Sequence, residues 1–134
     1  MNQTSSTYGA VVGQVKGWLR AEGLAVFIGS VVLYRNSGHA WWIFVALFLV
    51  PDVFMLGYLS GPKVGAASYN LVHTYVWPLA LGAACISFGH FATLPYMFIW
   101  TAHIGIDRFL GYGLKYDSAF GRTHLSTIGK ARKN

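Results

Sequence analysis

The chain predicts an all-α fold, a four-helix transmembrane bundle, and three observations predict it. Only 10% of its 134 residues are charged and 54% are apolar, whereas soluble domains carry about a quarter charged residues. Four apolar stretches, 17–34, 41–60, 64–84 and 91–112, are long enough to cross about 30 Å of hydrocarbon at about 1.5 Å per residue. Of the ten Lys and Arg residues, all but Arg35 fall on one side of a four-span arrangement. That asymmetry is the positive-inside pattern, so both termini are expected in the cytoplasm.

Taken in order, residues 1–16 form a polar N-terminal segment, 17–112 the four-span domain and 113–134 a basic cytoplasmic tail. Residues 2–9 lack the basic-then-apolar pattern of a secretory leader, so none is expected. Arg20 and Glu22 sit in the opening turn of the first span. They leave a second arrangement open, two spans with re-entrant helices. The connections 35–40, 61–63 and 87–90 are short, which makes successive helices antiparallel neighbours. Gly23, Gly29, Gly57, Gly65, Gly82 and Gly105 punctuate the spans. Small residues there let helix backbones approach in lipid. Trp41, Trp42 and Trp77 suit interfacial or packing positions. The tail is expected on the membrane surface, near anionic head groups. The lone Cys85 excludes an intramolecular disulfide. The net charge of +6 flanks apolar segments, which orientation explains, so nucleic acid is excluded as a partner. Membrane lipids are the expected partners, and a homo-oligomer or a larger membrane complex is compatible with the pattern.

Asp52, His73, His103 and Asp107 lie inside the apolar stretches. An ionisable group in hydrocarbon costs several kcal/mol unless partnered, which marks a functional site by default. Measured from the outer surface, Asp52, His73 and His103 come at roughly 17, 16 and 18 Å, although three different spans supply them. Asp107 and Glu22 come deeper, at roughly 23 to 24 Å. His103 and Asp107 are four apart and share a helix face; Asn70 and His73 are three apart on another, with Tyr58 and Tyr69 nearby. Pro51 removes an N–H just before Asp52 and loosens the helix there. Two imidazoles and two carboxylates suit zinc, manganese or iron, and a bound divalent ion would neutralise the carboxylates. Metal-bound water attacks esters and phosphoesters.

Two other readings stand beside this one. The polar groups could serve proton or ion passage. They could also pair as helix glue: His103 with Asp107, Asp107 with Arg108 or Lys115, Glu22 with Arg20, Asp52 with a Tyr. His39 and His90 fall at span ends and are expected to be solvated. His124 is either a surface residue of the tail or part of a lid folded back on the bundle.

The runs Pro51-Asp52-Val53-Phe54-Met55-Leu56-Gly57-Tyr58, Tyr69-Asn70-Leu71-Val72-His73-Thr74-Tyr75 and His103-Ile104-Gly105-Ile106-Asp107-Arg108 carry a resemblance. So do Gly111-Tyr112-Gly113-Leu114-Lys115-Tyr116 and Thr123-His124-Leu125. Together they resemble a bacterial family of small four-helix membrane proteins catalogued as a domain of unknown function. More distantly, the order Pro51-Asp52, His73, His103, Asp107 is similar to LexA-binding-type inner-membrane metal-dependent hydrolases. Those proteins often carry a second Asp where Phe54 stands, and a His-rich run where Thr74-Tyr75 stands. The leading expectation is a metal-dependent hydrolase or lipid-modifying enzyme. Asp52, His73, His103 and Asp107 would be its ligands, Glu22 and Asp107 its catalytic acid–base candidates, and Lys115 with Arg122 would steer an anionic head group. The alternative is a non-enzymatic membrane protein, either an ion pathway or a structural subunit.

Overall fold

The computed structural model describes residues 9–118 and 120–126. The expectations for residues 1–8, and for Lys130, Arg132 and Lys133, lie outside the described residues. The described chain is all-helical. Five α-helices run α1 Gly13–Asn36, α2 Trp41–Phe48, α3 Pro62–Val72, α4 Val76–Ser87 and α5 Leu94–Leu110, with an 11-residue 3₁₀ segment, Val50–Ser60, between α2 and α3. Two stretches are long and apolar enough to cross a membrane, Gly13–Asn36 and Trp41–Ser60. The stretch expected as a single third span is broken between α3 and α4.

The four prolines explain where helices begin and break. Pro62 and Pro95 sit in the opening turns of α3 and α5, where a missing N–H costs nothing. Pro51 and Pro78 act inside apolar stretches. A proline ring clashes with the carbonyl four residues earlier and leaves it without a donor. For Pro51 that carbonyl belongs to Leu47, and α2 ends at Phe48. For Pro78 it belongs to Thr74, and the third stretch breaks at His73–Tyr75. Each break falls beside a residue of the expected site. A 3₁₀ run beyond about four residues is uncommon, and one within a helical stretch often marks a functional hinge.

α5 is the central element, packed by α1, α2 and α4. α1 lies antiparallel to it, meeting at Gly23 and Gly105 near one end. Farther along, Ser30 and Thr101 hydroxyls share a buried hydrogen bond of 2.7 Å. A Cβ on Gly105 would stand 2.7 Å from both the Gly23 carbonyl oxygen and the Phe27 nitrogen, so only glycine allows this crossing. The 3₁₀ segment and α3 fold back on each other through Gly61, whose φ of 105° also favours glycine. Ser68 ties this pair by donating to the Phe54 carbonyl.

Polar side chains are buried beside apolar ones such as Tyr34, Ile99 and Ile104, and many large apolar side chains are exposed. His73, His103, Thr101, Ser30, Lys115 and Thr123 are buried, whereas Val45, Leu49, Val53, Leu56 and Leu59 face outward. An outer surface this continuously apolar is matched to lipid or to a protein partner. After α5, Gly111 takes the left-handed conformation that ends the helix, and the chain turns back. Residues 113–118 and 120–126 dock on the bundle, with an isolated antiparallel bridge between Lys115 and Thr123 and Leu125 fully buried. Of the two arrangements expected for His124, the described residues adopt the folded-back one.

Candidate metal centre

Asp52 comes from the 3₁₀ segment just after the Pro51 break, and His73 caps the C-terminus of α3 at the second break. His103 and Asp107 stand one turn apart on α5. Their ligand atoms all lie within 4.8 Å of one another. His73 Nε2 is 3.1 Å from His103 Nε2. From Asp52 Oδ1, each Nε2 is 3.3 Å away. From Asp107 Oδ2, the His73 and His103 Nε2 atoms are 3.6 and 3.4 Å away. Both imidazoles are buried, while the Asp52 and Asp107 side chains are 33% and 18% exposed, so the cluster opens on its carboxylate side.

The Asp107 backbone sits one turn along α5 from His103, as residue counting predicted, but its carboxylate does not stay at that level. Helical side chains tilt toward the helix N-terminus. On α5 that tilt carries the Asp107 carboxylate back toward His103, and its oxygen joins the other three. Glu22 is not brought to the cluster. It lines a separate cavity with Tyr75, Arg108 and His124.

The surroundings fix each ring. His73 donates Nδ1–H to the Tyr69 carbonyl at 2.8 Å, which leaves the Nε2 lone pair facing the cluster. The Tyr69 ring stacks on His73 with centroids 3.6 Å apart. Phe48 meets His103 edge-on at 5.3 Å. His103 Nδ1 is buried with no hydrogen-bond partner among the described residues. The break after α3 frees carbonyls, and α5 satisfies them: Trp100 Nε1 donates to Val72 at 2.8 Å and Arg108 to His73 at 2.7 Å. Arg108 and Trp100 were not legible as helpers, because neither shares a motif spacing with the residues they hold.

Several pairings open on sequence do not occur among the described residues. Each ion pair there joins Asp52 or Asp107 to His73 or His103. Arg20 donates to the Phe109 carbonyl rather than meeting Glu22. Tyr69 donates to Asp107 at 3.5 Å, a long contact.

Lys115 is buried rather than spread on the surface. Asn70 clamps its backbone, accepting from Lys115 N–H at 2.6 Å and donating to its carbonyl at 2.7 Å. The ammonium lies 3.3 Å from the Phe120 ring centre and 4.5 Å from that of Tyr69. Burial pushes its pKa down to about 8, although Asp107 and Asp52 pull the other way. In the unfolded chain the ordinary value is 10.5. Between these two values the unfolded state binds more protons, so stability rises with pH across that window. Below pH 8 the cost of the buried charge is fully present. The melting temperature of wild type minus that of Lys115→Met should therefore increase from pH 8 to 10.5, by a stability equivalent on the order of 3 kcal/mol. A flat difference would show that the charge is solvated.

An apolar cleft of about 260 Å³ is walled by chain neighbours of the cluster residues. Its walls include Pro51 and Val72, the residues just before Asp52 and His73, and Ile99, one turn before His103. The assembly is thus an all-helical protein with a two-imidazole, two-carboxylate centre able to hold a metal ion. The chain belongs to the family described as Domain of unknown function (DUF4260), which matches residues 16–128 and so includes the four cluster residues and His124. No curated protein and no solved structure matches the chain.

Proposed function

We propose that this protein is a four-span inner-membrane protein with both termini in the cytoplasm, and that Asp52, His73, His103 and Asp107 hold one divalent ion for ester or phosphoester hydrolysis. One observation carries the metal assignment. A tetrahedral zinc with bonds of about 2.0 to 2.1 Å has ligands about 3.3 Å apart. Five of the six ligand-to-ligand separations fall between 3.1 and 3.6 Å; the two carboxylate oxygens span the widest gap, up to 4.8 Å, and an ion would draw them together. The mixed N/O donor set suits zinc, manganese or iron. The many exposed large apolar side chains support the membrane reading, with the interrupted third stretch crossing as a broken helix. Discontinuous helices at a buried site are a recurring device in membrane proteins. Reporter fusions at Asn134 and within 35–40 should report opposite sides; a periplasmic signal at Asn134 would defeat the topology.

A divalent ion held there supplies Lewis-acid polarisation and an activated water. The second oxygens of Asp52 and Asp107 would accept a proton from such a water, and Glu22, which lines a separate cavity, has no part in the chemistry. The apolar cleft beside Pro51 and Val72 suits the chain of an amphiphilic substrate. The motif order similar to LexA-binding-type hydrolases supports the reaction class, and Phe54, where those proteins often have Asp, lines the cleft instead.

A second reading is favoured by one feature. Four protein ligands would fill a tetrahedron if the two carboxylates closed in, as in structural metal sites, whereas catalytic sites keep a position open. The partly exposed Asp52 is where the coordination would have to open. Hydrolysis of p-nitrophenyl acyl esters and phosphodiesters by the metal-loaded protein in micelles decides between them. Metal-dependent turnover that falls at least a hundredfold in Asp52→Asn is expected, the scale of losing an activated nucleophile. Stoichiometric metal binding with no turnover on either panel would leave the structural role.

A further inference from the structure

A second cavity, of about 490 Å³, lies between α1, the helix break, α5 and the docked segment. Leu19, Glu22, Val26, Tyr75, Arg108 and His124 are among its walls. Its polar groups are largely unspent. Glu22 has no ion-pair partner among the described residues, where each ion pair lies in the Asp/His cluster. Arg108 uses two of its five N–H groups, on the His73 and Tyr112 carbonyls, and keeps the rest. The Tyr75 hydroxyl is buried without a partner among the described residues.

His124 is defined more closely. Its Nδ1 accepts the Leu114 N–H at 2.9 Å, so the ring proton of the neutral imidazole sits on Nε2, which is a donor. Burial and the neighbouring Arg108 hold its pKa below the usual histidine value. The cavity thus combines a cation, two neutral donors and one carboxylate. A simple anion would meet Glu22 unfavourably, and a simple cation would meet Arg108 unfavourably. A ligand carrying both signs satisfies both.

We propose that this cavity binds a phosphoethanolamine group, its phosphate on Arg108, Tyr75 and His124 and its ammonium on Glu22. Leu19 and Val26 give the cavity an apolar wall on α1, which fits a phospholipid whose chains continue along that helix. Free phosphoethanolamine has the same polar chemistry. This assignment is independent of the metal reading, since neither Glu22 nor His124 belongs to the cluster.

The test is lipid retention by the full-length protein in native mass spectrometry, offered equimolar phosphatidylethanolamine and phosphatidylglycerol. Wild type should prefer phosphatidylethanolamine by about tenfold, one modest charge contact. Glu22→Gln should reverse the preference, because it removes both the ammonium partner and the repulsion of an anion. His124→Asn should weaken phosphatidylethanolamine retention. Unchanged melting temperatures in both variants show that they fold, a readout that holds whether or not the cluster binds metal. Calorimetric titration with O-phosphoethanolamine and inorganic phosphate covers the soluble source. Binding of O-phosphoethanolamine without lipid retention supports the same chemistry with a free ligand. Equal retention of both lipids by wild type, a preference unmoved by Glu22→Gln, or inorganic phosphate binding as tightly as O-phosphoethanolamine would each overturn the assignment.

Discussion

Replacing Gly105 with Ala should lower the melting temperature of the detergent-solubilised protein by roughly 10 °C, the equivalent of about 3 kcal/mol. The new methyl would stand 2.7 Å from the Gly23 carbonyl oxygen and the Phe27 nitrogen. Both are backbone atoms of α1, so no side chain can swing aside, and the helices must separate. Separation strains the Ser30–Thr101 hydrogen bond and shifts α5, which carries His103 and Asp107. Metal affinity should therefore fall with stability, although no ligand has changed. Gly29→Ala is the control: nothing lies within 4 Å of its added Cβ. It should be neutral or slightly stabilising through helix propensity. Equal effects at the two positions would show that the α1–α5 crossing does not need its glycines.

The four cluster residues were legible because an ionisable side chain stands out in an apolar stretch, and residue counting put three of them at one depth. The level of Asp107 was misread because counting follows Cα atoms, while the carboxylate leans back along α5. The break at His73–Tyr75 had a signal in the sequence, Pro78 acting on the Thr74 carbonyl, but an apolar run scored only by length hides it. The docking of 113–118 and 120–126 was the least legible part. Asn70 holds Lys115 through backbone atoms across 45 residues of sequence, and no spacing rule links such positions. Composition suggested that Lys115 lies at the lipid surface, since a lysine is seldom buried; three aromatic rings around its ammonium make burial tolerable here.

Removing metal should be as consequential as the glycine substitution. An ion that binds only the folded state stabilises it by about 4 kcal/mol at a thousandfold excess over its Kd. A chelator should thus lower the wild-type melting temperature by roughly 10 °C, and zinc or manganese should restore it. His103→Ala should abolish the response, because it takes one vertex from the set and leaves the other ligands with unequal reach. If the four side chains only pair with one another, the same variant still destabilises by leaving Asp107 and His73 short of a partner. In that case the chelator leaves wild type untouched. Elemental analysis of the purified protein is the most direct measurement: one equivalent of a divalent transition metal per chain in wild type, taken up again after stripping, and none in His103→Ala. A wild-type protein that is metal-free as purified, and takes up none on titration with zinc, manganese or iron, would contradict the assignment of these residues as a metal centre.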